Sequence, residues 1–463
     1  MSNEAFSEAA AMTGSALGDF AVSNKSTFID NRIRSVHQVE KLSDSPTSAN
    51  KIVLKNDPSN NPIDLRGAYI RILGKIARNV GVDAIGNVYA YPFALYNLFE
   101  SMTLIFGSSK EIEKVNAFYF TLPMKRIMDS DAYNLSYGGY LDEGIHIPDI
   151  TAAAPVTTPA ALGTYSNTAG THIFNSDGTF ELVLPLAKIF SAIASLSSTY
   201  KTLDIKIEMD RKQPGNGGVA GMTTGIETLV GGKRFDNAFR YDISQASLVY
   251  DEIFPDPKLE SAINAQYQSN FSIPCKISSS TEELISGGQY GLTKTLPLVA
   301  GKFGAETLLI AFRNKTPITN SGANNDSFIY NPTDFYLPQL TKIDITYAGN
   351  TACFLDNMTS VADQVANVPT YKELYENFRE CKSAFYSDES QAISYDMWRR
   401  QFPIIVINLS NFTTIDSSSN NTITVSMRFT APLANEVACH FMLLSDQSIQ
   451  YDPLSRNVLG VTL

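Results

Sequence analysis

The chain has 463 residues, of which 44 % are hydrophobic and 18 % are charged. This balance excludes intrinsic disorder of the whole chain, because disorder needs low hydrophobicity and high charge. With 47 acidic against 36 basic residues the net charge is −11, so we expect no sequence-specific binding to nucleic acid. No apolar run approaches the ~18 residues that a membrane-spanning helix needs, and residues 1–30 do not show the pattern of a secretory signal.

An N-terminal arm is expected over residues 1–49, ahead of a first strand at 51–55. Its start is rich in Ser, Ala and Gly and too poor in large apolar side chains to fold alone. The next stretch mixes apolar anchors with two arginines, so it can become ordered only by docking on something else. The candidate docking residues are Phe28, Ile29, Arg32, Ile33 and Arg34. The alternative is a tail with no role.

Three runs then alternate strictly between apolar and polar residues, at 203–209, 342–347 and 423–429. Period-2 alternation places all the apolar side chains on one face of a strand, and it is typical of antiparallel sheets with one face on a core. The predicted core residues on these strands are Ile205, Ile207, Ile343, Ile345, Val425 and Met427.

Helices are predicted in only two places. Residues 185–193 begin with Pro185 at a helix-compatible first position and repeat apolar residues at intervals of three and four. A second short stripe follows later in the chain, with apolar positions at Tyr371, Leu374, Tyr375 and Phe378. Both helices are expected to pack against the end of a sheet and to take no part in chemistry.

Similar strand patterns occur in the first and the second half of the chain. Three pairs of similar segments occur in the same order in both halves, starting at Met102 and Ile343, at Val183 and Val406, and at Leu203 and Ile423. Their separations of 241, 223 and 220 residues drift as differences in loop length would make them drift. The pattern predicts a duplicated domain.

Each half holds about 200 residues of short antiparallel strands with long connections, which is typical of a sandwich or jelly roll. We therefore predict an all-β protein of two tandem jelly-roll β-sandwiches, a double jelly roll, with a few short helices and long loops. The expected divisions are 1–49 for the arm, 50–254 for the first jelly roll, 255–258 for the joint and 259–463 for the second. Surface loops are expected at 138–171, 213–232 and 320–327.

Motifs that would indicate catalysis are missing from the sequence. Residues 231–234 lack the Ser or Thr of a phosphate-binding loop. The four histidines are scattered, and the neighbours Cys439 and His440 point to opposite faces of a strand, so they cannot bind one metal ion together. The acidic pair Glu282 and Glu283 is one of several expected by chance. We predict no catalytic, cofactor-binding or metal-binding residues, and no enzyme.

The order and spacing of several blocks resemble a known family over roughly residues 50–463. The blocks in the first half are NPIDLRGAYIRI, YPFALYNLFESMTLIFGSSKEI, LVLPLAKIF and TLDIKIEMDR, and the second half carries YNPTDFYLPQLTKIDITYAGN, YKELYENFREC and TVSMRFTAPLANEVACHFMLLSDQSIQYDPLSRNVLG. They resemble the double jelly-roll major capsid proteins of double-stranded DNA viruses, especially the Polinton, adintovirus and virophage-like branch.

This resemblance implies a structural protein located in the virion. Two jelly rolls would stand side by side, three chains would form a pseudo-hexagonal capsomer, and these homotrimers would tile an icosahedral shell. The implied partners are further copies of the chain together with minor capsid and vertex proteins, while contact with an internal membrane is left open. The arm would dock beneath the capsomer, with its arginines on acidic surface.

Two other functions fit a β-sandwich chain. The first is a secreted-type carbohydrate-binding or carbohydrate-cleaving protein, although Trp is usually abundant at sugar sites and this chain has only Trp398. The second is a vertex or spike protein of a virion, which would more naturally hold a single jelly roll.

Overall fold

The computed structural model describes a chain built mainly of β-strands. The described residues are 29–41, 51–56, 62–78, 88–90, 94–107, 109–128, 179–196, 199–201, 204–211, 228–230, 233–234, 239–255, 261, 270–296, 305–314, 335–347, 349–356, 371–380, 393–395, 398–399, 402–409, 412, 422–455 and 457–462. The predicted loop 138–171, most of 213–232 and all of 320–327 lie outside these residues.

The first half of the chain contributes twelve strands among the described residues. They are β1 (Ile29–Lys41), β2 (Lys51–Lys55), β3 (Pro62–Arg78), β4 (Val88–Ala90), β5 (Phe99–Phe106), β6 (Lys110–Asn116), β7 (Thr179–Pro185), β8 (Thr199–Lys201), β9 (Ile205–Arg211), β10 (Thr228–Val230), β11 (Lys233–Arg234) and β12 (Phe239–Pro255).

The second half contributes ten strands to the described part of the chain. They are β13 (Phe271–Ile285), β14 (Gly291–Leu296), β15 (Ala305–Asn314), β16 (Phe335–Tyr336), β17 (Leu340–Tyr347), β18 (Asn350–Asp356), β19 (Ile405–Asn408), β20 (Ile423–Phe429), β21 (Val437–Asp452) and β22 (Asn457–Thr462).

Helices are few and short. A 3-10 helix covers Ala94–Leu98, and the α-helices are α1 (Phe118–Met128), α2 (Leu186–Ile189), α3 (Ser191–Ser195) and α4 (Lys372–Glu380). No helix in the described ranges has the length and apolar character needed to cross a membrane.

Two antiparallel sheets form the sandwich of each half, and the first half also holds a separate three-stranded sheet of order β11-β10-β4. In the first half, sheet 1 has the order β1-β12-β3-β7, with β8 also on β3, and sheet 2 has the order β2-β9-β5-β6. In the second half, sheet 3 runs β13-β21-β15 and continues to β19 and β16, while sheet 4 has the order β14-β20-β17-β18. Taken in chain order, eight strands of the second half occupy the same places as eight of the first: β13, β14, β15, β17, β18, β19, β20 and β21 correspond to β1, β2, β3, β5, β6, β7, β9 and β12. β22 pairs with β21 and has no counterpart among the described strands of the first half. The predicted all-β double jelly roll is thereby confirmed.

The three sequence pairs that suggested a duplication fall on equivalent strands. The first pair lies on β5 and β17, the second on β7 and β19, and the third on β9 and β20. The predicted core residues are also buried, since none of Ile205, Ile207, Ile343, Ile345, Val425 and Met427 is more than 3 % exposed. Strict alternation was therefore a reliable indicator of both the strand and its core face.

The first sandwich begins earlier than the sequence suggested. The predicted first strand, 51–55, is β2, whereas β1 already pairs antiparallel with β12 along residues 29–41. β1 stands at the edge of sheet 1, in the place that β13 holds in sheet 3. Residues 29–41 thus give backbone hydrogen bonds to this chain's own first jelly roll.

The helix predicted at 185–193 is divided into two. Pro185 ends β7 and precedes α2, and Phe190 has extended backbone angles that separate α2 from α3. The helix predicted around 371–378 is present as α4, with Leu374 and Phe378 buried and Tyr371 just before it.

The strand registers show that long connections gather at one end of each jelly roll. In sheet 1, Lys75 near the end of β3 faces Thr179 at the start of β7, and Arg78 faces Phe239 at the start of β12. The connections that leave β3 and enter β7 and β12 therefore meet at this end. We call it the loop end.

The second jelly roll has the same arrangement. Val437 at the start of β21 faces both Ile285, at the end of β13, and Asn314, at the end of β15. The opposite end of the first jelly roll receives Ile29, which faces Pro255 at the end of β12. The chain therefore enters β1 and leaves β12 at the end opposite to the loop end, which we call the base end.

Candidate functional site: the junction of the two jelly rolls

Strand β13 joins the second jelly roll to the first through alternate residues. The backbone N–H of Lys276 donates to Ser195 Oγ at 2.7 Å, and the hydroxyl of Ser278 donates to Glu113. Further along β13, Ser280 Oγ accepts from the backbone N–H of Asn116 at 3.2 Å. Because side chains two apart on a strand share a face, this face of β13 lies against β6 and α3.

A buried ion pair lies at the centre of the junction. Lys125 Nζ on α1 is 3.0 Å from Glu113 Oε1 on β6, and both side chains are 0 % exposed. The same ammonium donates to the carbonyl of Ile189 at 2.7 Å and to Ser191 Oγ at 3.2 Å. All three donors of the lysine therefore have partners.

The carboxylate of Glu113 links four elements. Its Oε1 accepts from Lys125 on α1 and from Ser278 on β13, and its Oε2 accepts from the backbone N–H of Ala192 on α3 at 2.8 Å. Burial lowers the pKa of Lys125 from its usual range, and the adjacent Glu113 opposes that shift. Removing a charged group from water is costly, so a buried charge needs an ion-pair partner and a full set of hydrogen bonds.

Helix α1 reaches the second jelly roll with its first turn. The Arg313 guanidinium on β15 donates to Tyr119 Oη at 3.3 Å and lies 5.2 Å from the centre of its ring. Glu282 on β13 is 3.6 Å from the same guanidinium. Burial raises the pKa of Tyr119 to about 12, so the phenol keeps its proton and its dipole in this contact.

Apolar packing continues the contact beside Arg313. The ring of Phe120 lies 4.3 Å from the His440 ring and 4.6 Å from the Phe335 ring, measured between centroids. Cys439, the neighbour of His440, belongs to the hydrophobic core, and burial raises the pKa of its thiol well above the usual value. The two side chains thus point to opposite faces of β21, as strand alternation predicted.

The junction makes the two jelly rolls different in burial. On β3 of sheet 1, Arg71 is 43 % exposed and pairs with Glu181 at 2.5 Å, so the outer face of that strand meets solvent. On the equivalent β15 of sheet 3, every residue with a described side chain is buried except Glu306. The first jelly roll covers the outer face of sheet 3, while nothing in the described part of the chain covers Arg71 on sheet 1 in the same way.

The contacts also set the relative direction of the two sandwiches. Along β6 and into α1, Glu113, Asn116 and Tyr119 follow one another towards the loop end, and their partners on β13 and β15 follow the same direction. β6 and β13 therefore run side by side in parallel. The loop ends of both jelly rolls face the same way.

The residues proposed for the arm are only partly within the described chain. Phe28 lies outside it, and of Ile29, Arg32, Ile33 and Arg34 the backbone alone is described. In the register of β1 with β12, Arg32 faces Ile253, Ile33 faces Glu252 and Arg34 faces Asp251. Docking of these residues on a neighbouring subunit stays a prediction.

The junction residues themselves were not found from the sequence. Glu113 and Ser278 occur among other polar residues, and nothing local marks them as buried. A signal was available in α1, because its eleven residues are apolar on nearly every side but include Lys125 and Arg126. A helix that is hydrophobic all round is buried, and a lysine within it then requires a buried partner.

Chemistry beyond this packing is not apparent in the described ranges, where no three His, Cys, Asp or Glu side chains are close enough to hold a metal ion. The two acidic groups at 282 and 283 have separate ion-pair partners, Arg313 and Lys294. His146 and His172 lie outside the described residues.

Comparisons with known proteins agree with the topology. No protein-family model and no curated protein matches the chain. Among solved structures, a chain of the Sputnik virophage determined by cryo-EM is similar with a TM-score of 0.54 and 9 % identity, covering 94 % of this chain and 89 % of that chain. The same fold is thus shared over almost the whole length.

Two further solved structures have lower scores and are given for comparison only. The faustovirus major capsid protein has a TM-score of 0.48 and 10 % identity, with 91 % of this chain and 90 % of that chain covered. The mavirus major capsid protein has a TM-score of 0.45 and 12 % identity, with 92 % and 91 % covered.

Proposed function

We propose that this chain, which has the double jelly-roll fold, is the major capsid protein of a double-stranded DNA virus and resides in the virion. Three copies form a pseudo-hexagonal capsomer, and the capsomers tile an icosahedral shell. The observation that carries the proposal is the fixed, side-by-side placement of two jelly rolls with the same strand order and with both loop ends on one side.

The buried junction gives the subunit the fixed shape that a capsid protein needs. A shell subunit must keep one shape while it makes contacts on all sides, and the charges of Glu113 and Lys125 tie four elements together at the centre of the chain. Three chains with two similar sandwiches each supply six similar sides. Sixfold-like packing can therefore arise from one kind of polypeptide.

The two ends of the subunit have separate roles in this proposal. The loop end forms the outer surface of the shell, where long connections do not obstruct neighbouring capsomers. The base end, where the chain enters β1 at Ile29, faces inwards, so residues 1–28 lie beneath the capsomer. There the arm docks on a neighbouring subunit or on a minor capsid protein.

The proposal assigns no catalytic role to the chain. The buried charges of Glu113 and Lys125 are engaged with each other and with their neighbours. A vertex or spike protein fits the structure less well, because a single jelly roll would suffice for that role and this chain has two.

The mass of the purified protein tests the proposal. Light scattering should give three times the chain mass of 50.7 kDa, or larger multiples from shells, since obligate interfaces often bury more than about 2,000 Å². Negative-stain electron microscopy should show hexagonal particles. A stable monomer at micromolar concentration would contradict the proposal.

A further inference from the structure

A surface groove lies at the loop end of the second jelly roll, away from the junction. It has a volume of about 630 Å³ and lies where β14 and β17 begin and β20 ends. The residues that line it are Tyr290, Gly291, Leu292, Thr293, Thr341, Ser426, Met427, Arg428, Phe429 and Thr430. An aromatic ring, an arginine and several hydroxyl groups therefore share one open groove.

Backbone hydrogen bonds hold the groove in shape. The N–H of Phe429 donates to the carbonyl of Tyr290 at 2.8 Å, and the N–H of Thr430 donates to the carbonyl of Gln339 at 2.7 Å. Gly291 lies so close to the carbonyl of Met427 that a Cβ atom would be 2.4 Å from it. Such a fixed wall can bind a small ligand without a large loss of entropy on ordering.

The electrostatics favour an anionic ligand. Arg428 is exposed, and among the described residues no carboxylate pairs with it, whereas its cross-strand neighbour Lys342 is paired with Asp344 at 2.8 Å. Because no described carboxylate pairs with it, this guanidinium provides a local positive site on a chain of net charge −11, and it can bind a carboxylate with two hydrogen bonds.

Tyr290 supplies the other half of the recognition. This residue is 64 % exposed and lines the groove, so its ring is accessible to a ligand. A flat ring beside hydroxyl groups offers an apolar face and hydrogen-bonding partners at the same time. The face of a sugar ring, with C–H groups on one side and hydroxyl groups at its edge, matches that combination.

We propose that this groove binds a carboxylate-bearing sugar at the end or within a glycan, with the carboxylate on Arg428 and the sugar ring on Tyr290. The hydroxyl oxygens of Thr293, Thr341 and Thr430 can accept hydrogen bonds from the same ligand, while Thr341 and Thr430 donate their own protons to the carbonyls of Arg428 and Gln339. Sialic acids and uronic acids share this chemistry. The position at the loop end makes the site accessible from outside the shell of the proposed function, although binding itself does not depend on shell formation.

Saturation-transfer NMR with the full chain tests the site. The probes are 3′-sialyllactose and a glucuronate-containing hyaluronan tetrasaccharide, with lactose as the neutral control. Transfer to at least one acidic probe is expected, and which one gives it identifies the source of the carboxylate. Arg428→Gln should weaken binding about tenfold or more, the factor expected for loss of a charge-assisted hydrogen bond, and Tyr290→Ala should also weaken it.

A matched variant keeps the test specific. Arg71→Gln removes an arginine with a partly exposed side chain from the first jelly roll and should leave binding unchanged. Absence of transfer from both acidic probes, or equal binding by Arg428→Gln, would overturn the proposal, as would equal binding of lactose. Light scattering on the same samples separates the two hypotheses, because a monomer that still binds the acidic sugar contradicts the capsid role and supports the glycan site.

Discussion

At the scale of single residues, the pair of Glu113 and Lys125 shows how much a buried charge depends on its surroundings. Both groups leave water completely, and the cost of this is offset only because Ser191, Ser278 and the Ala192 backbone complete their hydrogen bonds. The pair therefore determines which surfaces of the two jelly rolls can meet. It is a specificity contact more than a source of stability.

Replacing one member of this pair should be strongly destabilising. Lys125→Met leaves the Glu113 carboxylate buried without its cation, and we expect a loss of about 3–5 kcal/mol in the free energy of unfolding. Arg71→Met, which breaks the exposed pair with Glu181, should cost only about 0–1 kcal/mol. Chemical denaturation of both variants checks the difference, and equal stability of the two would contradict the assigned role of the buried pair.

The double variant provides a second check. Glu113→Gln combined with Lys125→Met removes both charges, so it should be more stable than Lys125→Met alone. A double variant that is less stable than Lys125→Met alone would contradict an unpaired buried charge as the main cost of the single substitution.

At the scale of elements, β1 shows that part of the N-terminal segment belongs to the first jelly roll. Its backbone lies along β12 over eleven aligned residue pairs, so residues 29–41 complete sheet 1 in the way that β13 completes sheet 3. Residues 1–28 precede this strand. Among the described strands β1 lies at the edge of its sheet, and none of them pairs with the other side of its backbone, where a neighbouring chain could add a strand.

Two truncations separate these roles. Deletion of residues 1–28 should leave a folded trimer of similar thermal stability but impair shell formation, because the docking segment is shortened. Deletion of residues 1–41 should lower the melting temperature and weaken the trimer, because β12 loses one of its two partner strands. Thermal unfolding, light scattering and electron microscopy check both. Normal shells from the shorter truncation would reduce residues 1–28 to a tail.

The extent to which the sequence predicted the structure follows from where each signal lies. Alternation at 203–209 and 423–429 is a local pattern, so it gave both the strand and its buried face. The junction could not be found in this way, since Glu113, Lys125 and Ser278 are brought together only by the packing of two domains. β1 was missed because its residues, IDNRIRSVHQVEK, alternate imperfectly and carry charges on an edge strand.

At the scale of the whole molecule, the common direction of the two loop ends determines which surfaces can vary. Insertion of a short tag between residues 150 and 151, in a segment between α1 and β7, should leave the trimer intact, since β7 begins at the loop end. The same tag between residues 193 and 194, within α3, should abolish it, because α3 contacts β13. Light scattering distinguishes the outcomes, and a trimer lost in both cases would contradict a peripheral position for the first site.

The coverage of sheet 3 by the first jelly roll, with Arg71 and Glu181 exposed on sheet 1, has a consequence for symmetry. A ring of six identical sandwiches would use one and the same contact six times. That single contact would have to hold the ring together permanently and also allow its reversible assembly, so its strength would be restricted. Joining sandwiches in pairs removes this restriction. Within a chain the covalent link gives the contact a high effective concentration, and it can become a permanent core with a buried charge pair. The contact between chains is then free to be tuned separately, so that three subunits close into a ring and the ring still associates reversibly with its neighbours.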